Sequence, residues 1–115
     1  MDNSLDRIPT NIRAIYWIKL RKGNIVSPKV LIQIGKQLSH ELQLDPVYEY
    51  CHEFKNQEIT LINLFLDSQL LLCGYPRQQL IRAEIFSVSG LSEIKINKAI
   101  SKAFMQSEWV RSSFE

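Results

Sequence analysis

Residues 80–104 read Leu80-Ile81-Arg82-Ala83-Glu84-Ile85-Phe86-Ser87-Val88-Ser89-Gly90-Leu91-Ser92-Glu93-Ile94-Lys95-Ile96-Asn97-Lys98-Ala99-Ile100-Ser101-Lys102-Ala103-Phe104. The reading of this stretch decides the fold class. Gly90 tolerates a left-handed backbone at a tight turn because it has no Cβ. Leu91 comes next as an apolar plug, and Ser92 can cap a helix through its hydroxyl. Ile96 and Ile100 then share one helical face, with Lys95, Asn97, Lys98 and Lys102 on the polar part of the surface. A short helix from Pro76 to about Phe86, this turn, and a second helix from about Glu93 to Met105 together predict a helix-turn-helix.

The stretch resembles the helix-turn-helix repressors of the phage Cro and lac types. Ser89-Gly90-Leu91-Ser92 is similar to their turn and cap, and Ile96-Asn97-Lys98-Ala99-Ile100 to the body of their recognition helix. One position departs: those families place a small residue four positions before the turn glycine, and here Phe86 stands there. The segment 74–104, entered through Gly74-Tyr75-Pro76-Arg77, also resembles the PapB family of fimbrial regulators and subunits of the flagellar master activator.

The resemblance implies a transcriptional regulator that reads double-stranded DNA in the major groove. Asn97 is of the type that pairs with adenine, and Lys95, Lys98 and Lys102 of the type that donates to guanine or phosphate. Ser92 and Glu93 open the reading helix, where backbone N–H groups can meet a phosphate. Arg77 and Arg82, with Arg21 and Lys22, would clamp the DNA backbone. Such proteins dimerise to read paired half-sites, so a homodimer is expected, with room for a protein co-regulator.

Outward from this segment, the chain reads as helical. Ser27-Pro28 is a helix start, a hydroxyl cap and then proline in the first turn. Val30, Leu31, Ile34, Leu38 and Leu42 mark one face of that helix. Asp45-Pro46 repeats the start signal, and Val47, Tyr50, Cys51 and Phe54 stand at i, i+3, i+4, i+7. Residues 58–72 are apolar on more than one stripe, which suggests burial on two sides, by the core and by a second subunit. Residues 11–22 read as a helix through Ile12, Ile15, Tyr16 and Leu20. The competing reading is a strand pair about Gly23-Asn24, because Ile-Tyr-Trp-Ile and Ile25-Val26 are good strand formers. The expected fold is all-α, five or six helices over residues 1–115, with a packing half at 10–72 and the helix-turn-helix half at 74–106.

The charge pattern adds weight to a phosphate partner. Residues 1–36 carry seven basic and two acidic side chains, 37–75 one basic and six acidic, and 76–115 six basic and four acidic. Two basic ends around an acidic middle give a net charge of +2. Cys51 and Cys73 are too few and too far apart for a disulfide framework or zinc motif and read as buried thiols. His40 and His52 lack the partners of a metal site, and no serine–histidine–aspartate set or glycine-rich phosphate loop is visible. The expectation is therefore no enzyme, no metal and no cofactor. With no apolar run long enough to cross a bilayer and no apolar signal core, no membrane partner and a cytoplasmic location are expected. The second reading is a helical protein-interaction module, or a regulatory subunit that acts through a partner without binding DNA itself.

Overall fold

Between residues 59 and 87 the buried side chains recur at every second position: Ile59, Leu61 and Asn63, then Ser68, Leu70 and Leu72, then Ile81, Ala83, Ile85 and Ser87. That is the period of a strand, in which neighbouring side chains point to opposite faces. The computed structural model describes residues 11–21, 23–88, 91–105 and 107–114, the side chains of the last three positions excepted. It is an α+β fold rather than the expected all-α bundle. The element order is β1 (Ile12–Lys19), α1 (Pro28–Glu41), β2 (Tyr48–Glu53), β3 (Ile59–Leu64), β4 (Ser68–Tyr75), β5 (Leu80–Ser87), α2 (Glu93–Ala103) and β6 (Glu108–Phe114).

The strands form one antiparallel sheet in the order β2-β3-β4-β5-β1-β6. β2 to β5 form a meander, and β1 is inserted between β5 and the last strand. Both helices lie on one face. α1 packs against β2, β3 and β4, and α2 packs against β1 and α1. The core lies between this layer and the sheet, with Tyr16, Ile18, Leu31, Leu38, Leu61, Leu72, Ile81, Ile96 and Ile100 at 0% exposure. α1 comes close to the sheet at Gly35, where an added Cβ would stand 2.8 Å from Leu61 Cδ2 and 2.9 Å from Asn63 Nδ2.

Two of the helix starts read from local chemistry are present, while Asp45-Pro46 leads into strand β2 and Pro76 opens only a 3-10 turn. Ser27 accepts from Val30 N–H with Pro28 in the first turn of α1, and Ser92 accepts from Lys95 N–H at the start of α2. The remaining expected helices are strands. The stripe Val47, Tyr50, Cys51, Phe54 belongs to edge strand β2 and its flanks, and the broad apolar run 58–72 is the β3–β4 hairpin. Ile12–Lys19 is a strand, as the competing reading had it. It pairs with β5 and β6, however, and not with residues 25–26 across Gly23-Asn24.

The helix-turn-helix falls at its first element. Leu80–Ser87 is a strand whose outward residues, Leu80, Arg82, Glu84 and Phe86, alternate with its inward ones. Pro76–Gln78 is a single 3-10 turn, closed by Gln79 in the left-handed region. Ser89 and Gly90, on which the turn was placed, lie outside the described residues, as do Lys22 and residues 1–10. With a strand before it, α2 has no partner helix to make the motif.

Candidate functional site

The helices leave the other face of the sheet uncovered among the described residues. Strand alternation and register place on it Arg13, Ile15, Trp17 and Lys19 from β1, with Leu80, Arg82, Glu84 and Phe86 from β5 beside them. Gln69, Leu71, Cys73 and Tyr75 come next on β4, then Thr60, Ile62 and Leu64 on β3, and Tyr48, Tyr50 and His52 on β2. A solvated sheet face alternates to polar residues; this one is largely aliphatic and aromatic. Trp17 is 37% exposed and Tyr48 54%.

Near the middle of this face sits an ionic cluster. Arg13 Nε donates to Glu84 Oε1 at 2.7 Å, and Arg82 Nη2 donates to Glu84 Oε2 at 3.1 Å. Each carboxylate oxygen of Glu84 thus has its own guanidinium. Trp17 and Tyr75 stack at 6.0 Å between ring centroids. Burial, reinforced by Cys73 and the Glu58 carboxylate, pushes the Tyr75 phenol above its usual range, against a lowering influence from Arg82.

A second polar feature lies on the helix side, at the sheet end where the β3–β4 turn meets the end of β5. Ser68 Oγ is 2.9 Å from Ser87 Oγ and 3.2 Å from Asp67 Oδ1. Val88 N–H donates to the Asp67 carbonyl. Ser68 and Ser87 are both buried. Hydroxyls beside a carboxylate are a polar cluster able to orient a bound polar group, and nothing in the pattern of the sequence singled them out. The signal was the Asp67-Ser68 pair itself, hidden inside an apolar run.

Most of the residues expected to read DNA lie on or at the start of α2, and several of them are engaged within the fold. Ser92 serves as the α2 cap. Glu93 pairs with Arg111, Lys95 Nζ donates to Gln43 Oε1 at 3.2 Å, and Lys102 pairs with Glu41 at 3.3 Å. Asn97 points to the sheet, where it accepts from the buried Tyr16 hydroxyl. Lys98 is exposed on α2. Arg77 lies in the 3-10 turn, and Arg82 lies on the sheet face opposite α2. A double-stranded DNA partner therefore loses the motif on which it was argued. Among the described residues no three His, Cys, Asp or Glu side chains come together as a metal site. Among the described residues no helix is long and apolar enough to cross a membrane.

No family model matches the sequence. No curated protein matches it either. In structure the chain is similar to the adenosylmethionine decarboxylase from Aquifex aeolicus VF5, with a TM-score of 0.76. The match covers 94% of this chain and 90% of that one at 8% identity. At that identity the likeness establishes the α+β fold, and the fold is one that an enzyme uses. The helix-turn-helix, PapB-type and flagellar-activator resemblances are overturned by it, and the regulator reading with them.

Proposed function

We propose that this chain works as a face-to-face pair, two copies packing their open sheet faces into a four-layer sandwich with the helices outside. The observation that carries the reading is the apolar surface on the uncovered face, Leu71 and Ile62 on one side of the Arg13–Glu84–Arg82 cluster and Ile15 and Trp17 on the other. Exposed apolar patches of this kind mark interfaces. The charges on the face are balanced: Arg13, Lys19 and Arg82 against Glu58, Glu84 and Glu108. A face of zero net charge does not repel its own copy. Six strands about 4.8 Å apart, over about six residues of rise, give roughly 500 Å² of flat face before side-chain relief. That area is below the roughly 800 Å² that each partner of a standard specific complex buries, so the pairing is expected to be weak and concentration-dependent.

The test is sedimentation equilibrium of the wild type and of Leu71→Glu. Leu71 lies on the open face, so the new carboxylate enters the seam without entering the core. The wild type is expected as a dimer at tens of micromolar and the variant as a folded monomer, its sheet kept by circular dichroism although the new carboxylate faces Glu84 across the β4–β5 pair and lowers the thermal midpoint. A wild type that stays monomeric at that concentration overturns the reading.

The Ser68 corner supports a second reading, that the fold retains a ligand site of the kind its structural neighbour's name implies. Its support is a buried serine hydroxyl within bonding distance of a second hydroxyl and a carboxylate. Titration calorimetry with S-adenosylmethionine tests it. Saturable heat that is lost in Ser68→Ala supports a site there, and no heat at millimolar ligand removes it. Two thiols, Cys51 inward on β2 and Cys73 outward on β4, point to opposite faces of the sheet and do not pair with each other. A cytoplasmic location belongs to this same reading.

A further inference from the structure

The sheet has two edges, and they are built differently. β6 meets β1 with a register shift between Ile15 and Tyr16. Such an irregularity discourages further pairing. β2 pairs with β3 over six consecutive positions, from Tyr48 opposite Leu64 to Glu53 opposite Ile59, with no shift. Within Tyr48–Glu53 there is no proline and no lysine, and the charges that guard this edge against its own kind are the two glutamates, Glu49 and Glu53. Among the described residues no strand pairs with the outer side of β2.

The chemistry of this edge is specific. Phe54 N–H donates to the Glu58 carbonyl. Antiparallel pairs alternate in their bonding, so His52 and Tyr50 also bond inward to β3. The outward backbone N–H and C=O groups are then those of Glu49, Cys51 and Glu53. Their side chains share the helix-side face, where Glu49 and Glu53 flank the thiol of Cys51 closely enough to add to the upward push of its own burial. Both glutamates are exposed. The other side of the edge is the aromatic column Tyr50, His52 and Phe54, the last two edge-to-face at 4.5 Å.

We propose that the outer edge of β2 binds an extended, cationic peptide segment by strand addition. Residues of an added strand that bond to Glu49, Cys51 and Glu53 point to the same face as those side chains. The segment thus carries Lys or Arg four positions apart, opposite Glu49 and Glu53, with a small apolar residue between them opposite Cys51. The intervening positions lie beside Tyr50 and His52 and suit aromatic or aliphatic side chains. A second copy of β2 fits poorly. Antiparallel pairing about Cys51 would set Glu49 of one chain against Glu53 of the other, and like charges directly opposite destabilise a sheet. The edge lies in the plane of the sheet, so it stays accessible whether or not the open face is covered.

The probe is a fluorescein-labelled, capped seven-residue peptide, Ser-Lys-Tyr-Val-Tyr-Lys-Ser, titrated with the full chain at low salt and read by anisotropy. Three comparisons accompany it: the same peptide with both lysines replaced by glutamate, the lysine peptide N-methylated at its central valine, and the chain variant Glu49→Lys/Glu53→Lys. The lysine peptide is expected to bind at least about tenfold more tightly than the glutamate peptide. N-methylation should abolish binding because it removes a ladder donor. The double variant should reverse the preference, taking the glutamate peptide over the lysine one. Equal affinity for the two peptides, binding that survives N-methylation, or no binding of either peptide overturns the proposal. Repeating the titration on Leu71→Glu separates this edge from the open face: binding is expected unchanged in that variant whether or not the wild type dimerises.

Discussion

Tyr16 fixes the relation between the sheet and α2. Its ring is wholly buried, it meets Trp109 edge-to-face at 5.6 Å, and its hydroxyl donates to Asn97 Oδ1. Burial pushes its phenol up to about 12, with Arg111 pulling the other way. A folded value above the unfolded one near 10 stabilises the fold fully below pH 10, and that contribution drains away as the pH rises from 10 through about 12. Urea midpoints measured across that window should fall more steeply for the wild type than for Tyr16→Phe. At neutral pH the same substitution leaves Asn97 without its donor and is expected to cost on the order of 1–2 kcal/mol, checked by urea denaturation. Asn97 also shows why sequence alone misplaces the site. Its polarity suggests a solvent-facing, base-reading residue, but an amide whose partner is a buried phenol faces inward just as well. Only tertiary structure supplies that partner.

At the scale of elements, the two hydroxyl-capped helix starts are legible in the sequence and most of the strands are not. Ser27-Pro28 and Ser92 act through hydroxyl caps, chemistry contained within a single turn. Ser92→Ala is therefore expected to lose about 1 kcal/mol, read as a lower thermal midpoint and faster amide exchange in the first turn of α2. Asn56 marks the β2–β3 turn, its side chain accepting from Glu58 N–H, but the residues that take the left-handed backbone are not the usual ones. Gln43, Gln57 and Gln79 hold φ of 57°, 73° and 54°, positions where glycine or asparagine would have announced a turn. With that punctuation missing, Val47, Tyr50, Cys51 and Phe54 satisfy a helical spacing although they flank and occupy a strand. Residues 58–72 are apolar on too many sides for one helix because a central hairpin presents one face to the core and the other to the open surface. Gly35 tests the packing of α1 on that sheet. In an exposed helix Gly→Ala gains about 1 kcal/mol. Here the added Cβ would meet Leu61 at 2.8 Å and Asn63 at 2.9 Å, and overpacking of this kind typically costs ~1–3 kcal/mol. Gly35→Ala should lower the denaturation midpoint; a raised midpoint would mean that α1 stands farther from the sheet.

For the whole molecule, two layers account for the described core and leave one broad face uncovered. The charge asymmetry read as a phosphate-binding surface resolves differently in three dimensions. Arg13 and Arg82, from strands far apart in sequence, converge on Glu84 instead of on a nucleic acid. Lys95 and Lys102 tie α2 to the neighbourhood of α1 through Gln43 and Glu41. Lys95→Ala/Lys98→Ala should accordingly leave any residual binding to duplex DNA as weak and as salt-dependent as that of the parent. A loss of tight, sequence-selective binding would restore the discarded surface.

The most direct test of the face-to-face pairing is the emission of Trp17 in a Trp109→Phe background, measured on dilution from about 100 µM to below about 1 µM, a range that brackets the weak affinity expected of so small an interface. Trp17 is the one tryptophan on the open face, and Trp109 packs against the core. Emission that shifts to the red as the pair dissociates, with the shifted spectrum already present at all concentrations in Leu71→Glu, is the predicted result. A solvent-exposed spectrum that does not change with concentration would contradict pairing through this face.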